Sequence, residues 1–292
     1  MPQRRPKNYS VELHAGKANS TALNVYEWEG IGPPLLLVHA AGFHGRMWDK
    51  IIKDLGNRHV YAVDLRCHGL SEYSASPYSF QLFGDDVVAL IERLDLYNII
   101  ACGHSMGGHV VLHAASTLPH RFTHALLLDP VVFPPNTPDP IQTDPAKSPI
   151  ASRRNEWTSA AEMFTRFSSR APFSEWDSEV LKDYCDYGLV HKNKGELFEL
   201  ACPPVCEAAI YQSSGNGLLL DKVSSITASV KILRVKERTP EDEPFDFRPS
   251  TTYKGLVDLI PKATETYLPN HTHFVPMEDP HLVASEITGL GT

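Results

Sequence analysis

The chain has 292 residues, 42% hydrophobic and 21% charged, which is enough apolar content for a sizeable core and too much for a disordered polypeptide. Lysine and arginine number 27 against 35 aspartates and glutamates, a net charge of −8 that argues against nucleic-acid and anionic-membrane partners, since both select a concentrated positive face. No apolar run approaches the roughly 20 residues that cross a bilayer, and the basic stretch at residues 1–7 is followed by no apolar segment of the kind a signal peptide carries.

In chain order, residues 9–28 alternate loosely and break near Lys17-Ala18-Asn19, the pattern of a β-hairpin. Three short apolar runs follow: Leu35-Leu36-Leu37-Val38, Val60-Tyr61-Ala62-Val63 and Ile99-Ile100-Ala101-Cys102. Unbroken runs of this length suit strands covered on both faces, as in a parallel sheet. Helical patterns lie between them, at 47–55 and more clearly at 82–94, where Val87, Val88, Leu90, Ile91 and Leu94 are apolar. This alternation predicts βαβ units in a doubly wound α/β sheet. A small-residue helix over 107–118 ends at Pro119, and Ala125-Leu126-Leu127-Leu128 reads as a fourth buried strand. Six prolines between 134 and 149 exclude regular structure and mark a connector. From 150 to about 225 the pattern is helical, with no buried-strand run. One helix is expected over 156–170, carrying Trp157, Ala160, Ala161, Phe164 and Phe167, and another over 176–187 after Ser174 as N-cap. Strands resume at 230–235 and 264–268, and a last helix spans 280–288. The expected organisation is an α/β core of residues 1–133 and 226–292, interrupted by a helical insertion at 134–225.

The five cysteines, Cys67, Cys102, Cys185, Cys202 and Cys206, are odd in number and lack metal-ligand spacing. They read as free thiols of a reducing, cytoplasmic protein that needs neither metal nor other cofactor. Without a secretory signal the Asn-X-Ser/Thr triplets at Asn8, Asn19 and Asn270 are chance matches.

One motif carries chemistry. Gly103-His104-Ser105-Met106-Gly107 fits G-x-S-x-G, between a buried strand and a helix. A serine in such a strand-to-helix turn has a strained backbone, and the chain passes close to itself two residues to either side, where only glycine fits. The bend thrusts the hydroxyl out of the sheet at a helix N-terminus, where developing negative charge is favoured. Ser105 is therefore the candidate nucleophile.

The segment Gly103-His104-Ser105-Met106-Gly107-Gly108 resembles the nucleophile elbow of the α/β-hydrolase superfamily. Other segments extend the resemblance in the family's order. Leu36-Leu37-Val38-His39 followed by Ala40-Ala41-Gly42 is similar to its oxyanion loop, and Asp64-Leu65-Arg66-Cys67-His68-Gly69-Leu70-Ser71 to its D-x-R-G-x-G-x-S segment. The stretch from Asn270 to Pro280 is similar to its histidine loop, and the insertion at 134–225 falls where the family carries a cap. Ala40 and Cys67 depart from the family, each standing where glycine is usual.

The resemblance implies a Ser–His–acid triad. A serine hydroxyl needs an imidazole within hydrogen-bond reach, and among 14 histidines the resemblance selects His273 over its neighbour His271. His39 would support the oxyanion loop. The acid is open: the family's usual position is occupied here by Thr239, which cannot carry the charge that orients an imidazolium. Asp129, at the end of the strand Leu126-Leu127-Leu128, is the first choice, because some superfamily members place the acid there; Glu237 and Asp246 are the alternatives. Backbone amides of Ala41 and Met106 would form the oxyanion hole.

A serine at the elbow argues against dehalogenase and epoxide-hydrolase chemistry, which the family runs with a carboxylate. It implies acyl transfer from a small-molecule ester or lactone. Other readings are a C–C hydrolase, hydroxynitrile lyase or haloperoxidase on the same scaffold, or a ligand receptor that retains the triad without turnover. Trp157, Phe164 and Trp176 are candidates to line the substrate pocket, and Arg153 and Arg154 could meet a substrate carboxylate or simply be a solvated pair. The expected form is a monomer or homodimer.

Overall fold

A strand apolar at every position must be covered twice, because successive side chains point to opposite faces. The computed structural model describes residues 4–291 apart from 15, 18, 75–76, 139–142, 193–195 and 244–245, and it provides that double cover. An antiparallel hairpin joins β1 (Lys7–Leu13) to β2 (Thr21–Trp28), with Leu13 opposite Thr21; positions 15 and 18 near its turn lie outside the described residues. Strands and helices then alternate as β3 (Ile31–Val38), α1 (Asp49–Asp54), β4 (Arg58–Asp64), α2 (Phe80–Arg93), β5 (Ile99–His104), α3 (Met106–Thr117) and β6 (Phe122–Leu128). The inserted segment holds β7 (Glu156–Trp157), α4 (Ala160–Phe167), α5 (Ser178–Tyr187), β8 (Leu189–His191), β9 (Phe198–Leu200), α6 (Pro204–Gln212) and α7 (Leu219–Lys222). The chain closes with β10 (Ser229–Val235), α8 (Leu256–Leu259), β11 (Ala263–Leu268), α9 (Val275–Glu278) and α10 (Pro280–Thr288). This is the α/β-hydrolase fold.

The main sheet has the order β1-β2-β4-β3-β5-β6-β10-β11, antiparallel at the hairpin and where β2 meets β4, parallel elsewhere. The period of two divides the apolar runs between two cores. Leu36, Val38, Ala101, Leu127 and Ile232 join the core that holds α2 and α3. Leu35, Leu37, Cys102, Leu128 and Leu233 join the other, with Ile51 and Ile52 of α1 and Val283 and Ile287 of α10. No described helix is long and apolar enough to cross a membrane. All five cysteines are buried free thiols.

The inserted segment differs from its helical pattern. A three-stranded sheet, β7-β9-β8, lies within it. Strands of two and three residues have no period to read. Residues 156–170 are therefore not one helix: Trp157 belongs to β7, and α4 starts after Ser159, whose hydroxyl accepts from the Glu162 amide. Ser174 caps nothing, because residues 173–175 form a separate 3-10 turn; Asp177 caps α5 by accepting from the amides of Glu179 and Val180. The proline-rich connector contains one 3-10 turn, Pro145–Lys147, capped by Asp144, while its residues 139–142 lie outside the described residues. A third core, containing Trp157, Met163, Trp176 and Tyr184, packs the insertion onto Phe43 of the loop after β3 and Phe274 of the loop after β11.

One buried ion pair fixes the loop that follows β4. Arg66 forks onto Asp86 of α2 through Nε and Nη2 at 2.8 and 2.7 Å, with side chains 3% and 0% exposed. Nη2 also donates to the Asn19 carbonyl, tying in the hairpin. Replacing Arg66 by Met would leave the Asp86 carboxylate buried beside only the His14 ring, 3.3 Å away. The expected cost is about 3–5 kcal/mol of unfolding free energy, read by urea denaturation. A loss below about 1 kcal/mol, the scale of exposed pairs, would show that the pair does not anchor the loop.

Candidate active site

Three strand ends meet at the site. Ser105 follows β5 directly, at φ 57° and ψ −119°, a left-handed conformation that a non-glycine residue holds only under constraint. Its amide donates to the Leu128 carbonyl at 3.0 Å, and its carbonyl accepts from Gly108 and Val131, both at 3.0 Å. The neighbouring glycines are a steric requirement: a Cβ at Gly103 would stand 2.3 Å from the Gly107 carbonyl oxygen, and one at Gly107 would stand 2.2 Å from that of Val38. The result is a hydroxyl presented at the N-terminus of α3.

Asp129 follows β6, one residue past the register pair Leu233–Leu128, so it lies against the end of β10. It is fully buried and has φ 44°. Its carboxylate accepts from Ser250 Oγ at 2.5 Å, Thr252 Oγ1 and the Thr251 amide at 3.2 Å, and the Val235 amide at 3.3 Å. His273 Nδ1 donates to Oδ2 at 2.6 Å. Burial alone would raise the pKa of Asp129; the hydrogen bond and charge of His273, with Ser250 and Thr251, overcome it and hold the group below the usual carboxylate range. With the proton on Nδ1, Nε2 of His273 accepts from Ser105 Oγ at 2.8 Å. Backbone contacts fix the ring from behind. The His273 amide donates to the Arg248 carbonyl at 2.6 Å, and its carbonyl accepts from His104 Nε2 at 2.7 Å. Burial pulls the pKa of His104 down to about 3, so that ring is neutral.

Ser105, His273 and Asp129 are thus brought together, and the other candidates are not. Glu237 pairs with Arg234 and Lys254, Asp246 with Arg248, and His271 lies 3.7 Å from Asp279. Ala41 and Met106 line the same cavity as Ser105 and His273. In the loop after β3 the Phe43 amide donates to Ala40 and the Gly42 amide to His68 Nε2, leaving the Ala41 amide without an acceptor among the described residues. Met106 opens α3, so its amide has no intrahelical acceptor. The departure at Ala40 is accommodated because Gly42, at φ 80°, takes the left-handed turn. Cys67 does stand at a glycine-favouring φ of 63°, where its thiol meets the Ser74 carbonyl and Tyr78 hydroxyl.

The cavity is about 780 Å³ and lies between the sheet end and the inserted segment. Trp157 and Trp176 line it; Phe164 does not, and packs instead against the insertion's own core. Arg153 and Arg154 both reach the wall; both stay partly open to solvent, and each also has an acidic partner. Arg153 Nη1 donates to both carboxylate oxygens of the buried Glu207, at 2.8 and 2.6 Å, and Arg154 bonds Glu162 and lies 4.1 Å over the Trp157 ring. Residues 250–252, which cradle Asp129, carry no motif; their only signal is three consecutive hydroxyl side chains, Ser250-Thr251-Thr252. Among the described residues, no three His, Cys, Asp or Glu side chains gather as a metal ion would need.

The profile of the alpha/beta hydrolase family matches residues 35–286. The chain is 32% identical over 111 residues to the lipase LipV of Mycobacterium tuberculosis, which is 38% of this chain and 42% of that one. It is 31% identical over 159 residues to the non-heme chloroperoxidase CPO-A1 of Kitasatospora aureofaciens, 50% of this chain and 56% of that one. The matches therefore span about half the length of these curated relatives. Among solved structures, E-2-(acetamidomethylene)succinate hydrolase superposes with a TM-score of 0.71 at 22% identity, over 97% of this chain and 98% of that one, a likeness of fold.

The cradle of Asp129 predicts a pH signature. Its folded pKa lies below the value of about 3.9 expected when unfolded. Its contribution to stability is therefore full above pH 4 and is lost as pH falls below 4 through the folded value. The gap in melting temperature between the native and Asp129→Asn proteins should shrink as pH falls below 4. A gap unchanged down to pH 3 would mean that Asp129 is not held ionised by these donors.

Proposed function

We propose that this chain, which belongs to the alpha/beta hydrolase family, cleaves a small-molecule carboxylic ester or lactone through an acyl-enzyme on Ser105. The observation that carries the reading is the hydrogen-bonded chain from Ser105 Oγ through His273 to Asp129, opening on a cavity lined by aromatic and charged side chains. A hydroxyl alone is a weak nucleophile at neutral pH, and the imidazole supplies the missing base.

In the proposed reaction His273 Nε2 takes the Ser105 proton as Oγ attacks the carbonyl carbon. The charge that develops on the carbonyl oxygen is met by the amides of Ala41 and Met106, a contribution worth about 10²–10³ in rate per donor in comparable sites. The imidazolium, stabilised by the ionised Asp129, returns its proton to the departing alkoxide, and the C–O bond breaks. Water then repeats the sequence on the acyl-enzyme, with His273 taking its proton and Ser105 regaining one, to release the acid. Asp129 stays ionised throughout; its place is to hold the tautomer and balance the imidazolium. We take residues 134–225 as a cap over the core of 1–133 and 226–292, with Trp157 and Trp176 facing the substrate. The buried free thiols fit a reducing compartment, and we place the enzyme in the cytoplasm.

Ser105→Ala should abolish p-nitrophenyl butyrate hydrolysis while leaving the circular-dichroism spectrum and melting temperature near native. Asp129→Asn should lower kcat by about 10³–10⁴. Native turnover slower than about once per minute, below the usual enzyme range, would favour a ligand receptor. Activity retained in Ser105→Ala would reject the acyl-enzyme.

A further inference from the structure

The cavity wall has the opposite charge balance from the rest of the chain. Overall the chain carries −8, yet among the described residues the wall holds Arg153, Arg154, Arg166, Arg170 and Arg238 against only two carboxylates, Glu207 and Asp242. Arg153 and Arg154 are neutralised by Glu207 and Glu162. Of the other three, two have no acidic partner among the described residues. Arg166, in the last turn of α4, and Arg170, just beyond it, have no side-chain partner among the described residues. Arg238 donates to two backbone carbonyls, of Glu243 and Asp246, which fix its guanidinium, and its charge is partly offset by the nearby Asp242 and Asp246 carboxylates. The nearby Asp242 carboxylate accepts from the Thr239 amide.

Two exposed guanidinium groups without an acidic partner and a third that is only partly offset stand on a wall rich in aromatic side chains, with Phe167, Phe173 and Phe247 among its residues. A neutral ester would gain nothing from this rim. A planar anion would: guanidinium groups bind carboxylate bidentately and lose little hydration in doing so. We propose that the preferred substrate is an ester carrying a carboxylate remote from the scissile carbonyl, with its apolar body on the aromatic wall and its carboxylate at Arg166, Arg170 and Arg238. This rests on the hydrolase reading above.

Two matched ester series test it. In the first the charge lies on the acyl part: p-nitrophenyl half-esters of C5 to C10 dicarboxylic acids against p-nitrophenyl esters of monocarboxylic acids of equal length. In the second it lies on the alcohol part: 4-butyryloxybenzoate against 4-butyryloxybenzamide. In at least one series kcat/KM should favour the anion by about tenfold or more, as a charge-assisted contact gives. The anion-to-neutral ratio should fall toward one in Arg166→Gln/Arg170→Gln/Arg238→Gln, stay above one in the matching triple lysine variant, and shrink with added salt. No anion preference in either series, or one that survives the triple glutamine substitution, overturns the proposal. Calorimetric binding of the same pairs to Ser105→Ala reads the preference without turnover. Failure of hydrolysis and failure of the arginine rim are thereby separate results.

Discussion

The site depends on the parallel ladder running past the ends of its strands. The Ser105 amide donates to Leu128 at the end of β6, and the Asp129 amide donates to Leu233 of β10 at 2.8 Å. These two bonds hold the residues that follow β5 and β6 in unfavourable backbone conformations, φ 57° at Ser105 and φ 44° at Asp129, each of which costs on the order of 1–3 kcal/mol where nothing holds it. Because the strain is borne by a sheet buried on both faces, the hydroxyl and carboxylate are positioned before any ligand arrives. His273 comes from a loop, and needs separate anchors at Arg248 and His104 to reach the same precision.

Buried neutral histidines do much of this anchoring. His39 donates from Nδ1 to its neighbour Ala40 and accepts the Leu65 amide at Nε2, joining the loop after β3 to the one after β4. His68 donates to Arg66 and accepts the Gly42 amide, joining the same loops in reverse. Burial lowers both pKa values, to about 4 for His68, and a neutral ring has one donor and one acceptor, which is what a bridge between an amide and a carbonyl requires. A protonated ring would have two donors, and each amide facing Nε2 would lose its acceptor.

The sheet and the elbow were legible because their signals are local. Four apolar runs, the alternation with helices and Gly103-x-Ser105-x-Gly107 each occupy a few contiguous residues, and each physical cause is confined to the same span. The carboxylate that meets His273 was legible only as a choice. Deciding between Asp129 and Glu237 needs the knowledge that β6 and β10 are neighbours in register, so that a carboxylate leaving one strand end can serve the place vacated by Thr239 on the other. Sequence does not carry strand order. The support from Ser250, Thr251 and Thr252 was invisible for a related reason: hydroxyl residues in a loop look alike until the buried charge they face is known. In the insertion the error was one of period. Trp157 and Phe167 meet edge to face at 5.4 Å across a strand and a helix, and their sequence spacing imitates a single helix.

The inserted segment also reaches the loop after β3. Glu207 on α6 and Arg153 both belong to it, and their ion pair places the carboxylate against Gly42 in the loop after β3. A Cβ at Gly42 would stand 2.7 Å from Glu207 Oε1, so the contact leaves room for no side chain there. The adjacent amide, that of Ala41, is the one in this loop without an acceptor of its own among the described residues. The position of that amide is therefore set from two sides, by His68 in the core and by Glu207 in the insertion. Glu207 keeps its place only while Arg153 balances its buried charge, because a carboxylate taken out of water without a counter-charge is driven to protonate or to move. Arg153 lines the cavity, so a ligand that draws the guanidinium away from Glu207 also loosens the support behind Gly42. The charge of a ligand at Arg153 and the geometry of the loop after β3 are thus linked through a single ion pair.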